Sequence, residues 1–442
     1  MAEAPPANVS VYARLLGTPA YTRVFAAGLG STLGSSISAI CLIWIVYTST
    51  RSAFDVALLG IAWVVAAIVF SVFGGTLVDR YDRRRLMIGS DVARAVAMTA
   101  VVVVLEVHGF DLLTILGANF VVGAFTVVFN PAEQAIVPVL VESSLVADAN
   151  GLVRSSRSAA QFVGTSVGGV LIVTLGAVAG VAANAATFAL SAALLLGMVV
   201  RSSPRATSAG FSSYLRDVRE GFQWLRRATG FLELTLSATF FNFCGALIGT
   251  FFVVFVTLEL HGSALVFAVL LAVEVAGNGI GSLLVSRTGG VRYAGRSWTV
   301  GAGAASGATA IVLALFPVVP VAAVCLFLIG LFGGYAVTAW LTAAQLLVPS
   351  DMQGRYFGID ALGSIAIIPA AQIGGAFLLG LYGVQPTYLW VAVVWLITGV
   401  VFLFPKALRD VGYPRPEESA VTPRSDVAAA GTTESRGGTR AG

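Results

Sequence analysis

Residues 75–85 read Gly-Thr-Leu-Val-Asp-Arg-Tyr-Asp-Arg-Arg-Arg, a strongly charged segment between two long apolar stretches, 54–78 and 86–107. A helix needs about 20 mostly apolar residues to cross the hydrocarbon core of a bilayer, and both flanking stretches are long enough. Short loops that are rich in arginine stay on the cytoplasmic side of a membrane. The segment therefore predicts a tight cytoplasmic turn between two transmembrane helices.

The composition of the whole chain is that of a membrane protein. Its 442 residues are 57% hydrophobic and only 11% charged, with a mean hydropathy of +0.90. Soluble domains carry about 25% charged residues, so this chain lacks the polar surface that several soluble domains would need. The 3 cysteines lie in apolar runs and are expected to be packing residues, which excludes a disulfide-rich fold.

Ten further apolar stretches bring the predicted number of spanning helices to twelve. They are expected at 22–49, 112–136, 155–176, 178–200, 231–258, 264–287, 296–316, 319–347, 356–382 and 385–405. Apart from Arg51 and Arg94, the 26 basic residues lie in alternate connections, at their flanking span ends or in the termini. This alternation predicts a multi-pass protein of the cell membrane with both termini in the cytoplasm. The net charge of +4 then requires no nucleic-acid partner.

The spans form two groups of six around one long connection. The predicted units are a cytoplasmic N-terminus (1–21), a first six-helix bundle (22–200), a linker (201–230), a second bundle (231–405) and a disordered cytoplasmic tail (406–442). Apolar residues recur at helical spacing in the linker, which predicts an amphipathic helix lying either on the membrane interface or against the cytoplasmic loops. Similar sequences at 132–138 and 343–349 indicate a duplicated six-helix unit, an arrangement that suits alternating-access transport.

Two features of the segment at 75–85 go beyond a positively charged loop: its aspartates, and a glycine near the end of a span. Such a mixture fits a gate in which salt bridges hold one conformer and break in the other. The segment resembles the signature Gly-x-Leu-x-Asp-Arg-x-Gly-Arg-Arg/Lys of the major facilitator superfamily. The matching residues are Gly75, Leu77, Asp79, Arg80, Arg83 and Arg84, and Asp82 replaces the second glycine.

That replacement, with the stretches at 90–95 and 129–132, is similar to the branch that contains the enterobactin exporter and the macrolide efflux pumps. The resemblance covers about residues 14–405. It implies an all-α membrane fold, with twelve transmembrane helices in two pseudo-symmetric six-helix bundles that rock under an ion gradient. The chain departs from the family in its first span, where Ser35 replaces the acid of a common Gly-Asp pair. In the fifth span the drug-antiporter motif lacks its proline but keeps its packing glycines, Gly164, Gly168 and Gly169.

Charges inside the predicted spans need a reason, because each costs roughly 2.5–3.5 kcal/mol at the bilayer centre. Glu274, midway along the eighth span, is predicted to couple protons or to pair with a cationic substrate; the alternative is a neutral carboxyl that is hydrogen-bonded between helices. Asp91 and Arg94 share a helix face, which favours an intramembrane ion pair tied into the Asp79/Arg83 gate over a substrate contact. Further candidates for this network are Glu133, Arg154 and Arg157.

Spans one, four, seven and ten line the cavity in the major facilitator superfamily, so the resemblance implies a set of substrate-cavity candidates. They are Trp44, Asn119, Phe125, Asn130, Phe241, Asn242 and Trp340. This set is aromatic with few charges, and it suits a bulky lipophilic compound better than a sugar or an inorganic ion.

The sequence shows no phosphate-binding loop, metal-ligand cluster or nucleophile–base constellation, so no enzyme, metal or cofactor is predicted. The predicted function is that of a monomeric secondary transporter, a proton- or gradient-coupled exporter of amphiphilic small molecules such as a drug, an antibiotic or a siderophore. One alternative is a lysolipid or nutrient importer of the same fold. An alternative of another class is a transport-inactive membrane sensor or scaffold.

Overall fold

The computed structural model of the chain describes residues 11–142, 145–198, 211–228, 230–349 and 352–411. Within these ranges, the side chains that lie outside the description are those at 71–76, 78–80, 147, 154, 158, 211–218, 286, 353–354, 357–358, 361–362 and 365. The described part of the chain is almost entirely helical and contains no strand, which confirms the predicted all-α class.

The first half consists of a short helix followed by six long ones, and a separate helix leads into the second half. These helices are α1 (Val11–Leu16), α2 (Pro19–Thr50), α3 (Ala53–Arg80), α4 (Arg83–Val107), α5 (Leu112–Leu140), α6 (Val146–Thr174), α7 (Ala177–Leu196) and α8 (Phe211–Arg227). Polar side chains define where several of them begin. Ser52, Asp82 and Asp111 each accept a hydrogen bond from a backbone N–H in the first turn of α3, α4 and α5.

The second half contains more interruptions than the first. Its helices are α9 (Phe231–Thr250), α10 (Phe252–Leu258), α11 (Ala264–Thr288), α12 (Ala294–Ser297), α13 (Ser306–Leu315), α14 (Val319–Leu347), α15 (Gln353–Ala366), α16 (Ile368–Tyr382), α17 (Val384–Val401) and α18 (Lys406–Arg409). A 3-10 turn (Gly290–Tyr293) precedes α12, and a π-helical stretch (Trp298–Ala305) joins α12 to α13. Ten segments of the described chain are long and apolar enough to cross a membrane. With α6 and the α15–α16 pair, they account for the twelve predicted spans.

Three of the predicted spans are not continuous α-helices. The seventh is divided at Phe251 and the eleventh at Ile367. At the second break, Pro369 in the first turn of α16 lacks the backbone N–H that a continuous helix requires. The ninth span contains the π-helical stretch, where the indole N–H of Trp395 donates to the carbonyl of Ala302 over 2.8 Å. This bond from α17 supports a local widening of the helix.

Glycines allow the closest helix pairs to form. Between α11 and α14, a Cβ added at any of four glycines would lie 2.8–3.0 Å from a carbonyl carbon of the other helix; these are Gly277, Gly281, Gly330 and Gly334. Each helix therefore presents a Gly-x-x-x-Gly face to its partner, a known mode of close packing in membranes. In the first half, Gly164 and Gly168 of α6 lie in the same way against the backbone of α2 at Leu33 and Ile37.

In the part of the chain that the structure describes, contacts between the two halves lie at one end of the molecule. We call the end at which α2 begins and α17 ends the terminal end, and the opposite end the distal end. Helix α6 packs against α11, and α3 packs against α16. At the distal end, the contacts pair Gly169 with Ala268, Gly60 with Gln372 and the ring of Trp44 with that of Phe267.

Helix α8 packs against α15 and α9 at the terminal end. Glu220 forms an ion pair of 3.0 Å with Arg355 of α15, Trp224 stacks edge-on against Tyr356, and Leu225 is buried. Residues 219–227 therefore lie against α9 and α15 of the same chain. The two predicted placements of this helix, on the membrane interface or against the cytoplasmic loops, stay predictions. The side chains of 211–218 lie outside the described residues.

Candidate functional site

A cavity of about 410 Å³ lies in the first half, and its described lining residues come from α2 to α7. One wall is the helix α2, which contributes five hydroxyl side chains: Ser31, Thr32, Ser35, Ser36 and Ser38. The hydroxyls of Thr32 and Ser36 donate to the backbone carbonyls four residues earlier, over 2.8 and 2.9 Å. Their oxygen lone pairs remain available as acceptors, so a nominally apolar helix forms a polar wall.

Arg94 of α4 lines another part of the cavity and forms an ion pair with Asp91 on the same helix. Their carboxylate and guanidinium groups are 2.5 Å apart, and Ser191 of α7 donates to the other carboxylate oxygen, also over 2.5 Å. The guanidinium lies between two aromatic rings, 4.5 Å from the centroids of both Phe129 and Phe188. Both charged residues are buried, and the pairing, the hydroxyl and the two rings together compensate for their removal from water.

A second ion pair, between Glu133 of α5 and Arg157 of α6, lies in the same half of the protein. Glu133 is only 2% exposed, whereas Arg157 is partly exposed and lines the cavity. Asn130 accepts a weak hydrogen bond of 3.5 Å from the same guanidinium. The carboxylate fits against α2 because residue 28 is a glycine; a Cβ there would lie 3.1 Å from the carboxyl carbon of Glu133.

The arginines of the charged segment at 75–85 bind the ends of neighbouring helices. Arg83 donates to the carbonyl of Ala135 in the last turns of α5, over 2.8 Å. Arg84 donates to the last carbonyls of α7, those of Leu195 and Leu196, over 2.8 and 2.6 Å. Because the last carbonyls of a helix lack partners and carry partial negative charge, these contacts stabilise the terminal end of the first half.

The structure leaves the gate prediction for this segment open. Leu77 is partly buried, and Asp82, which replaces the family glycine, caps α4 through the N–H of Arg85. The predicted residues Gly75, Asp79 and Arg80, and the network candidate Arg154, have side chains outside the described set. The link between the Asp91/Arg94 pair and an Asp79/Arg83 gate therefore stays a prediction.

Glu274 lies midway along α11, where that helix packs most tightly against α14. A Cβ at Gly330 of α14 would lie 2.9 Å from the carbonyl carbon of Glu274. The side chain is partly buried. Across the described ranges, the Glu274 carboxylate has no hydrogen-bond donor and no cation as a partner.

The predicted cavity residues are distributed over four places. Asn119 and Asn130 line the cavity, and Trp44 lies at the distal end. Phe125 is on the exposed face of α5, next to the cavity-lining Thr126. The other three lie within the second half: Phe241 packs on Trp298, Asn242 donates to Ser364, and Trp340 packs on Trp298 and donates to Tyr356. As substrate contacts, these residues remain predictions.

A family model described as Major Facilitator Superfamily matches residues 24–368 of this chain. The chain belongs to the Major Facilitator Superfamily. Its helices agree with the twelve-helix fold of that superfamily, and it is a multi-pass membrane transporter, as predicted. The resemblance to an efflux branch is also confirmed by its curated relatives.

Those relatives carry the names of efflux pumps. The multidrug efflux pump Tap of Mycobacterium tuberculosis is 24% identical over 410 residues, which cover 89% of this chain and 94% of the pump. Macrolide efflux protein A of Streptococcus pyogenes is 26% identical over 219 residues, 48% of this chain and 54% of that protein.

Solved transporters of low sequence identity share the fold. An inward-facing bacterial homologue of the iron transporter ferroportin aligns with a TM-score of 0.67 at 13% identity, over 88% of this chain and 98% of its own. A bacterial homologue of the human lysosomal transporter Spinster, also inward-facing, gives a TM-score of 0.65 at 14% identity, over 90% of this chain and 99% of its own.

Two features of the site were not predicted from the sequence: the polar wall of α2 and the aromatic rings around Arg94. The first had a visible signal, since Ser31, Thr32, Ser35, Ser36 and Ser38 are concentrated in one otherwise apolar span. The second had none, because Phe129 and Phe188 come from two different helices and only the packing of the bundle brings them to the arginine.

Proposed function

We propose that this transporter exports amphiphilic small molecules by alternating access, with the proton gradient as its energy source and the monomer as the working unit. In this proposal the segments 22–200 and 231–405 move as two units. The terminal end, which carries both termini and the arginines of the segment 75–85, faces the cytoplasm.

Of all the observations, the arrangement of the two halves gives the strongest support to alternating access. The halves touch at the distal end, through Gly169 and Ala268 and through Trp44 and Phe267. The cavity lies on the first half, between this contact and the terminal end. Closure at one end beside a cavity is what one state of a rocking transporter requires, and opening of the distal contact would give the other state.

The direction and the type of substrate are supported by the relatives and by the size of the cavity. Two relatives are named as a multidrug and a macrolide efflux pump, which favours export over import. A cavity of about 410 Å³ is within the range of small-molecule sites, roughly 300–1,000 Å³.

Glu274 is the proposed coupling residue. An ionisable group within a spanning helix is expensive and is commonly kept for transport. The Asp91 and Glu133 carboxylates are each paired with an arginine, whereas Glu274 has no partner in the part of the chain that the structure describes. Its proton can therefore be exchanged without the loss of an ion pair.

The test is expression in an efflux-deficient bacterial host that is screened against a broad set of amphiphilic compounds. We expect lower accumulation of one or more compounds with the wild type, and loss of this effect in Glu274→Gln and in Asp79→Ala. Glu106→Gln, a change at an exposed position of α4, is the matched control and should behave as the wild type. Equal accumulation with the wild type, both variants and the empty vector would contradict the proposal.

A further inference from the structure

The cavity contains many polar groups that the protein itself leaves without partners. In the part of the chain that the structure describes, the hydroxyl of Ser31 and the Nε of Arg157 are buried atoms with no hydrogen-bond partner, and Ser31 is only 5% exposed. Three other lining side chains, Ser35, Trp63 and Gln161, make no hydrogen bond within the described ranges. Buried polar atoms are nearly always paired, so this concentration of unpaired atoms needs an explanation.

All five of these side chains can donate a hydrogen bond, and two of them can only donate. Arg157 and Trp63 offer N–H groups that can only donate, while Ser31 and Ser35 offer hydroxyls and Gln161 an amide. A ligand that satisfies them must present several acceptor atoms, which in small molecules means oxygen. The acceptor lone pairs of Thr32 and Ser36 on the same wall suit a ligand that also carries hydroxyl donors.

The charges of the cavity balance within the protein. The carboxylate of Asp91 is bound by Arg94 and Ser191, and that of Glu133 by Arg157. Among the described residues that line the cavity, no carboxylate is left to hold a cationic group. Both arginines are already paired with carboxylates, so an anionic ligand would gain little binding energy from them. The ligand group that fits is therefore polar and uncharged.

We propose that the unpaired polar side chains of this cavity form a head-group subsite for an uncharged, oxygen-rich group such as a glycosyl or polyol unit, with the apolar part of the substrate lying elsewhere in the cavity. Arg157, Ser31 and Trp63 are its specificity-determining residues. The inference rests on the proposed transport function and specifies one part of the substrate. It differs from the lipophilic substrate that the aromatic set in the sequence favoured, because the wall of α2 is polar.

Binding of two matched probes to the purified full chain in lipid nanodiscs tests the subsite. Both probes carry the same dansyl-alkyl tail, one with a glucosyl head and the other with a trimethylammonium head. The wild type should bind the glucosyl probe at least about 10-fold more tightly than the ammonium probe. Ser31→Ala should weaken binding of the glucosyl probe about 3- to 10-fold, the loss expected for one hydrogen bond, and leave binding of the ammonium probe unchanged.

Arg157→Lys is the second variant, because lysine keeps the positive charge beside Glu133 but lacks the Nε–H group. It should show the same selective loss for the glucosyl probe. Ser166→Ala, on the same helix as Arg157 with a hydroxyl bonded to its own backbone, is the matched control and should bind both probes as the wild type does. Thermal unfolding of all variants checks that they are folded.

Equal affinity of the wild type for the two heads, or an equal effect of Ser31→Ala on both probes, would overturn the head-group assignment. Binding of neither probe would also overturn it. These failures are distinguishable from failure of the proposed function. If the compound screen still shows Glu274-dependent export, the proposed transport function is retained and only the head-group subsite is wrong.

Discussion

Adding one methyl group at Gly169 should open the distal contact between the two halves. A Cβ at this position would lie 2.8 Å from the Cα of Ala268, whereas carbon atoms in good contact are about 3.5–4.0 Å apart. Helices α6 and α11 would therefore have to separate by roughly 1 Å at the point where they close the distal end. Overpacking of a tight contact costs about 1–3 kcal/mol. It should destabilise mainly the conformer in which the two halves touch at the distal end.

The expected effect is a shift of population rather than loss of the fold. Because about 1.4 kcal/mol corresponds to a factor of ten, Gly169→Ala should raise the ratio of distal-open to distal-closed molecules by about 5- to 150-fold. If the open state makes up about 1% of the wild type, it becomes a readily detectable fraction of the variant.

Electron–electron distance measurements between spin labels can follow this shift. The labels are placed at Val107 and Val318, which are exposed at the distal ends of the two halves. Cys41, Cys244 and Cys325 are buried and are first replaced by alanine. Gly169→Ala should increase the long-distance population, whereas Gly279→Ala should not, because a Cβ at Gly279 meets nothing within 4 Å. Identical distance distributions in the two variants would refute the reasoning.

Three further predictions concern the stability of the two halves, each measured as the thermal unfolding midpoint in detergent. Gly28→Ala should press on the buried carboxylate of Glu133 and destabilise the first half by about 1–3 kcal/mol. Gly30→Ala is the control and should be neutral, because a Cβ there meets nothing within 4 Å. Equal unfolding midpoints for the two variants would contradict the packing at residue 28. Arg94→Leu should lower the free energy of unfolding by about 3–5 kcal/mol, because it leaves the buried carboxylate of Asp91 unpaired. The additional change Asp91→Asn should restore part of that stability. A double variant that is less stable than Arg94→Leu alone would contradict a stabilising ion pair. Gly281→Leu should prevent the close approach of α11 to α14 and lower the midpoint far more than Gly279→Leu on the same helix; a similar effect of both would contradict the glycine interface.

Hydropathy and charge in the sequence were sufficient for the architecture. Each spanning helix must satisfy its backbone internally and present an apolar surface to lipid, so apolar length and the placement of arginines carry most of the information. The interruptions of the spans were less visible. Pro369 was a usable signal for the break between α15 and α16, whereas the break at Phe251 has no proline or glycine at that residue.

The polar interior depends on tertiary packing, and sequence spacing predicted only its local part. Asp91 and Arg94 could be placed together because residues three apart share a helix face. The partner of Glu133 is Arg157, on the next helix, and the sequence offered only a set of candidates from which packing selects. Phe125 shows the limit of family-level reasoning: its span contributes to the cavity, but the described lining residue beside it is Thr126, and Phe125 as a substrate contact stays a prediction.

The central claim is that this superfamily member uses a proton gradient to move an amphiphile, with Glu274 as the coupling group. Its most direct test is transport of a fluorescent amphiphile, one identified by the compound screen, into proteoliposomes that contain the purified full chain and an acidic interior. The account predicts concentrative uptake that collapses on addition of a protonophore and is absent with Glu274→Gln. Uptake that is equal with and without the gradient, or equal for the wild type and Glu274→Gln, would contradict it.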